Sequence, residues 1–329
     1  MFADAARVYS ALIHKIVKGH LRWVFYKAQR PRGFWHRSYL VTGMPKDGPV
    51  FQLDQQCYPI LELCDFLEAF PDEHEFVKDL LEGGTASQVI TLLRSKRDQM
   101  TGLTPTEETP GDDAVEHPFH FSSHVLLWYA LTRLAAITER VHPQSQLEAA
   151  GIKTYAEEVR SATLLHFAAI NPATKEHMWA YLTSGAGDYR FYHDANDIPT
   201  LYVPIWGFAK TQEEIQLWYS TMQFGTSAQN LEGYAEGEPF GGLGSVHTPG
   251  PWPLGYVQEF VFAQMTKNTA AEVDAWRRLQ AAMSWDGLFS EAVDPHTAEC
   301  TSKAWFSWPG SMVGSAIIRS YQQTRVFNL

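Results

Sequence analysis

Apolar positions recur at three- and four-residue intervals through most of this chain, the spacing that lines one face of an α-helix. The pattern predicts helices over 3–28, 54–70, 73–82, 85–97, 121–141, 145–170, 197–208, 211–224, 252–267, 269–284 and 302–322. Polar or Gly/Pro-rich loops separate them. Aromatics alternating with small or polar residues predict short strands at 33–40, 178–182 and 189–193. Hydrophobic strands do not alternate with helices along the chain, so a doubly wound sheet is not expected. About eleven helices, with chemistry-bearing loops between them, predict an all-α fold: an (α/α)6 toroid with short β-hairpins in its loops. No stretch reads as a linker. The polar segment 94–116 is short and strongly patterned, as a functional loop is. The expectation is a single domain over residues 1–329.

Composition narrows the class. With 329 residues and 45% hydrophobic content, the chain can bury a large core. A formal charge of −11 argues against nucleic acid or an anionic membrane as partner. No run of 18 apolar residues occurs, so no membrane span is expected. His14, Lys15, Lys18, His20 and Arg22 interrupt the first apolar segment, unlike a secretory leader. The cysteines, Cys57, Cys64 and Cys300, are sparse and odd in number. That does not build a disulfide framework, and a reducing, cytoplasmic location is expected. Cys57 and Cys64 stand seven apart on a predicted helix, about 10 Å by helix rise. They are too distant to bridge and are expected as buried apolar residues. Eleven Trp, 14 Tyr and 19 Phe supply core. Flat aromatic faces also line sugar-binding clefts.

Five segments carry candidate chemistry. The loop from Gly241 to Gly255 joins glycines, His247 and Trp252 at the entry to an apolar helix. Glycine lets its backbone approach a ligand closely. Asp54 stands where an extended segment becomes a helix, placed to cap it or to bond sugar hydroxyls. Glu107, Glu108, Asp112, Asp113 and Glu116 crowd one loop. Like charges held close raise the pKa of one member, which suits a general acid at neutral pH. Asp194, Asn196 and Asp197 follow a predicted hairpin. Asp197, before Ile198 and Pro199, reads as an N-cap. Glu291 lies among Trp285, Phe289, Trp305 and Trp308, where a carboxylate is either costly or useful.

Other chemistries lack their motifs. The chain has no P-loop, no HExxH and no GxSxG elbow, and Gly242-Leu-Gly244 does not continue as GxGxxG. His117, His120 and His124 straddle Pro118, and neither a metal site nor a cofactor is expected.

In order, these segments resemble glycoside hydrolase family 125, the metal-independent exo-α-mannosidases. Thr109-Pro-Gly-Asp112-Asp113, with Pro118-Phe119, is similar to that family's Arg-Pro-Ser-Asp-Asp before a Phe-rich helix. His193-Asp194-Ala-Asn196 is similar to Asp-Asp-Ala-Asn, and Gly244-Ser-Val-His247-Thr248 to Gly-Ser-Pro-His-Thr. Phe289-Ser-Glu291-Ala is similar to His-Glu-Ser-Phe. Ser302-Lys-Ala-Trp305-Phe-Ser-Trp308 is similar to Arg-Ser-Trp-Phe-Ala-Trp. The resemblance runs from Phe51 to Tyr321 and implies an (α/α)6 glycosidase that takes a carbohydrate substrate. It implies Glu291 as the base that activates water in an inverting, metal-independent reaction releasing a terminal sugar. Inverting enzymes hold their two carboxyls roughly 6.5–9.5 Å apart to admit that water.

Two departures stand out. The family's acid lies in Tyr-Glu-Val-Asp-Gly, and the matching Tyr181-Leu-Thr-Ser-Gly185 has no carboxylate. Leu53 precedes Asp54 where the family has Arg. Thr106-Glu107-Glu108 resembles the Trp-Glu-Glu hairpin of glucoamylase-like enzymes, which puts the acid among Glu107, Glu108, Asp112 and Asp113. Asp54, His120, Asp194, Asn196 and His247 are then expected to hold sugar hydroxyls, and Trp252 and Trp305 to stack on the ring. The absent acid also keeps open a non-hydrolytic protein of this architecture. That would be a sugar-binding protein, or a lyase or isomerase using Arg190, Tyr192 and His193. A helical scaffold for protein partners is the third reading.

Overall fold

Eleven α-helices form among the described residues, and most begin and end within a few positions of the predicted bounds. The description, from a computed structural model, covers residues 2–326, with side chains over 9–318. Residues 1 and 327–329 of the expected domain lie outside it. Contacts gather into two compact units. One takes the chain up to Phe167 together with Leu182–Asp188. The other takes Ala168–Tyr181 and the chain from Tyr189 onward.

The first unit holds α1 (Phe2–Tyr26), α2 (Tyr58–Ala69), α3 (His74–Glu82), α4 (Thr85–Lys96), α5 (Phe121–Val141) and α6 (Gln146–Phe167). Helix α5 packs on α6 and on α2. It is apolar around most of its girth, and Val125, Leu126, Leu127, Trp128, Leu131 and Leu134 are all buried, as a central helix requires. Strand β1 (Phe119–His120) leads directly into α5. It pairs antiparallel with β4 (Leu182–Thr183), Phe119 lying opposite Thr183.

In the second unit, β2 (Ala168–Ile170) pairs antiparallel with β3 (His177–Trp179). There follow β5 (Tyr189–Arg190), α7 (Ile198–Leu201), α8 (Gln212–Gly225), β6 (Tyr234–Ala235), β7 (Gly242–Leu243), α9 (Pro253–Met265) and α10 (Thr269–Ala282). The unit closes with β8 (Ala292–Val293), β9 (Cys300–Ser302) and α11 (Ser307–Val326). Helix starts follow local chemistry. Thr211 and Glu214 form a reciprocal capping box on α8. The Asn268 side chain accepts from Ala271 N at the head of α10. Pro253 opens α9, where its missing N–H costs nothing. Helices α9 and α10 pack together over Tyr256, Val257, Leu279, Phe289 and Val293. Each such large apolar side chain contributes about 1.5–3 kcal/mol by burial.

Five expectations need correction. The segment 33–40 forms no strand beyond a bridge of Tyr39 to Pro45. Its backbone is satisfied by a side chain instead: Trp35 N donates to Gln56 Oε1 at 2.8 Å, and Gln56 Nε2 donates to Trp35 O at 2.9 Å. The helix expected over 197–208 stops at Leu201. Pro204 lacks the N–H that would continue it, and Trp218 Nε1 takes the carbonyls of Thr200 and Leu201. The end of the helix expected over 145–170 becomes β2, and the start of that expected over 302–322 belongs to β9. Asp197 precedes α7, but its side chain makes no cap bond to the helix. It accepts from Asp194 N at 3.3 Å.

Cys57, Cys64 and Cys300 are all free, the first two buried. Among the described residues, no helix is long and apolar enough to cross a membrane.

Candidate active site

In the second unit, Glu291 is set by the β8–β9 hairpin. Asp294 turns that hairpin: its Oδ1 accepts from His296 N and Thr297 N at 2.8 and 2.9 Å, a local Asx-type turn. The strands pair with Ala292 opposite Ser302. Glu291, just before β8, therefore faces Ser302 and Lys303 at the end of β9. Its backbone N donates to both of their carbonyls. The residue is 3% exposed, and its carboxylate accepts from three donors. Lys303 Nζ lies 2.6 Å from Oε1, and Ser302 Oγ and Thr248 Oγ1 lie 2.7 and 3.1 Å from Oε2. Burial pushes this carboxyl up, but the lysine and the two hydroxyls more than offset it, holding Glu291 below the usual carboxylate range. The outcome is an ionised carboxylate. Lys303 reaches it from a left-handed backbone, φ 41°, a conformation that non-glycine residues adopt at a cost.

Thr248 comes from the Gly-rich loop, which is fixed at several points. Gly244 and Gly255 run against backbone: a Cβ at either would collide with the carbonyl oxygen of Gly250 or Leu243. Arg278 Nη1 donates to Gly241 O at 2.7 Å and Nη2 bonds Glu259, whose other oxygen accepts from Leu243 N at 2.7 Å. Trp252 is 1% exposed. Its indole N–H donates to Thr248 O at 2.9 Å and its ring meets Phe306 edge-on. The indole expected at a sugar is thus packed beneath the loop. Trp305 is 74% exposed, its N–H bonded to Asp286 at 3.0 Å. His247 is exposed at the loop tip.

Asp194 is buried, and its carboxylate is fully occupied. Oδ1 accepts from Asn196 N at 2.8 Å and Asn196 Nδ2 at 2.9 Å. Oδ2 accepts from Tyr192 OH and Ser245 Oγ, both at 2.6 Å. A carboxylate offers about four such lone-pair positions. Burial and the neighbouring Asp197 outweigh these donors and push Asp194 up to about 6.

Arg190, Tyr192 and His193, the trio of the lyase reading, are each taken elsewhere. Arg190 bonds Glu232 at 2.7 Å, Tyr192 bonds Asp194, and His193 Nε2 meets Gln258 Oε1 at 2.9 Å. Burial and Asp194 push the Tyr192 phenol far up, which opposes its use as a base.

In the first unit, the acidic loop is tied to segment 51–53. Glu107 N donates to Phe51 O at 2.8 Å, Phe51 N donates to Glu107 Oε2 at 2.7 Å, and Leu53 N donates to Thr106 Oγ1 at 3.1 Å. Glu107 is exposed, with its carboxylate engaged in that pairing. Glu108 pairs with Ala114 across a tight turn in which Asp112 takes φ 64°, a conformation Asp tolerates. Asp113 lies in the same turn, its carbonyl accepting from Thr109 N. Glu108 Oε2 accepts from Arg37 Nη1 at 2.8 Å and Gln52 Nε2 at 3.0 Å, and Gln52 also reaches Asp112 Oδ1 at 2.6 Å. Burial pushes Glu108 above its usual value. Arg37 opposes this and Asp112 adds to it.

Asp54 is 4% exposed and His120 is fully buried. Asp54 Oδ1 has no partner. Burial pushes Asp54 up to about 6, with the nearby His120 pulling the other way. His120 Nδ1 meets Ser123 Oγ at 2.8 Å. His124 accepts from Thr104 N at Nε2 and bonds His120 O through Nδ1. Burial drives it down to about 4, so it is neutral. Among the described residues, no three of His, Cys, Asp and Glu gather as a metal ion would require.

With this geometry in hand, comparison places the chain. The family model of the metal-independent alpha-mannosidases, GH125, matches residues 83–318. The chain belongs to this glycoside hydrolase family. The Meiotically up-regulated gene 157 protein of Schizosaccharomyces pombe is 23% identical over 218 residues, 64% of this chain and 40% of that protein. The chain thus spans less than half the length of that curated relative. A metal-independent alpha mannosidase of Streptococcus pneumoniae, solved with alpha-1,6-mannobiose, superposes with a TM-score of 0.77 at 18% identity, covering 93% of this chain and 79% of that one. A bacterial glucoamylase complexed with acarbose gives 0.62 at 14% identity, covering 89% and 44%. These likenesses establish the fold class, that of the (α/α)6 glycosidases.

The GH125 motifs named Glu291 but not its setting. The sequence did not assign Lys303, Ser302 and Thr248 to Glu291, Arg37 and Gln52 to Glu108, or Tyr192 and Ser245 to Asp194. One signal was available. Val293-Asp294-Pro295 marks a turn, and a hairpin there brings the following segment back along Glu291.

Proposed function

We propose that this protein is an exo-acting α-mannosidase that works by inversion without a metal, with Glu291 as general base. The observation that carries the reading is the Glu291 setting: a buried carboxylate, kept ionised by Lys303, Ser302 and Thr248, in a chain of the GH125 family. An ionised carboxylate can take a proton from water as that water attacks the anomeric carbon.

Inversion also needs an acid for the departing oxygen. Of the loop carboxyls, Glu108 fits best, because its pKa is raised by burial and by Asp112 and a general acid must hold its proton near neutrality. Glu107 is engaged with Phe51 N. Trp305 offers an open indole face to a ring. Asp54, with one oxygen unpartnered, His120 and His247 are assigned to sugar hydroxyls.

The test is proton NMR of the protein with alpha-1,6-mannobiose, the sugar held by the streptococcal relative. β-mannose appearing first supports inversion. α-mannose appearing first, or no mannose at all, overturns the reading.

A second reading, sugar binding without hydrolysis, is favoured by one observation. Tyr181–Gly185, the stretch similar to the family's acid motif, holds no carboxylate, and the Ser184 hydroxyl within it is bonded to Asp188 at 3.0 Å. Calorimetry showing mannobiose bound while no mannose is released would select it.

A further inference from the structure

Two paths of hydrogen bonds lead from Asp194 to the loop that carries Thr248. On the first, Tyr192 OH donates to Asp194 Oδ2 at 2.6 Å and accepts from Val246 N at 2.9 Å. On the second, Ser245 Oγ donates to the same oxygen at 2.6 Å and accepts from His247 N at 3.1 Å. Two successive backbone N–H groups are thereby held by hydroxyls that the carboxylate orients. The next residue is Thr248, whose hydroxyl reaches Glu291 Oε2 at 3.1 Å. Asp194 has itself no free direction, because Asn196 fills Oδ1 with two donors and no lone pair remains for a sugar hydroxyl. Asp194 is anchored from behind as well: Gln258 Nε2 donates to the carbonyls of Asp194 and Ala195 at 3.0 and 2.8 Å.

We infer that Asp194 is a positioning residue for the Glu291 carboxylate, acting through Tyr192, Ser245 and the backbone of Val246 and His247 to place the Thr248 hydroxyl. The inference rests on the reading of Glu291 as base, but it concerns that carboxylate's charge state and not turnover. Oδ2 of Asp194 accepts from both hydroxyls as a carboxylate oxygen, and equally as the carbonyl oxygen of the neutral acid when the proton sits on Oδ1, so both hydroxyls point their protons inward and each must accept from the loop. Without it the hydroxyls turn freely, the loop loses two fixed bonds, and Thr248 is no longer aimed.

The experiment is a carbon-13 NMR titration of the Glu291 carboxyl in the full chain, which needs no catalysis. Thr248→Val removes the donor itself and should raise the Glu291 pKa by about half a unit. Tyr192→Phe combined with Ser245→Ala should raise it by a similar amount, although neither residue touches Glu291. Adding Thr248→Val to that pair should then produce little further change. Asp194→Asn should do the same where it folds, and the hydroxyl variants decide the matter where it does not. An unmoved Glu291 pKa in the Tyr192/Ser245 double variant overturns the inference, as does an additive response in the triple variant or no response to Thr248→Val. Absence of mannosidase activity would count against the proposed function alone, since the titration reads out regardless.

Discussion

Lys303 and Glu291 meet at 2.6 Å at the open end of the β8–β9 hairpin, one just after the second strand and the other just before the first. The contact joins an exposed ammonium to a buried carboxylate. Burial alone would favour the protonated acid, and the lysine, with Ser302 and Thr248, reverses that.

Replacing this lysine should therefore move the reaction's acidic limb. In Lys303→Met the Glu291 carboxyl rises, so the base becomes protonated at a higher pH. The lower limb of kcat/KM against pH should shift upward by roughly half a unit, modest because the ammonium is largely exposed to screening. A limb that stays in place would separate Lys303 from the base.

Glu108 gives a prediction that depends on the leaving group. An acid matters most where the departing oxygen is a poor leaving group. Glu108→Gln should slow mannobiose cleavage by about a hundredfold or more. It should slow release of a dinitrophenol from an aryl α-mannoside far less. Equal losses on both substrates would remove Glu108 from the acid role.

Much of the helical framework was legible in the sequence, because apolar positions recur at helical spacing and local signals mark several of the ends. The Thr211/Glu214 box, Asn268 and Pro253 show in the sequence what they do in the fold. Failures occurred where a distant group overrode local pattern, or where a proline inside an apolar period ended a helix. Gln56 satisfies the Trp35 backbone and leaves no need for a strand, while Pro204 and Trp218 end α7 early. The site divided in the same way. Glu291 was legible as a carboxylate in an aromatic segment matching a family motif. Its charge state was not, since the donors lie 11, 12 and 43 residues away and meet it only through a hairpin and a clamped loop. Trp252 looked like a stacking platform because composition cannot tell an indole beneath a loop from one upon it.

Asp54 links the site to stability. Its carboxyl is pushed from 3.8 to about 6 by burial, so the folded state binds the proton more tightly than the unfolded chain does. The stability this adds is fully present below the ordinary value and is lost as pH rises through about 6. Between these values wild-type stability should fall by up to about 3 kcal/mol from this group. Asp54→Asn should flatten that fall, with its Tm gaining on the wild type from pH 4 to pH 8. A Tm difference that is constant across this range would contradict the assignment.

The most direct test of the account is the turnover of Glu291→Gln on an α-mannoside, measured beside mannose binding by calorimetry. The substitution keeps the size of the side chain and removes its charge. The account predicts that turnover drops by at least about a thousandfold while the sugar still binds. Turnover close to that of the wild type would show that another group activates the water.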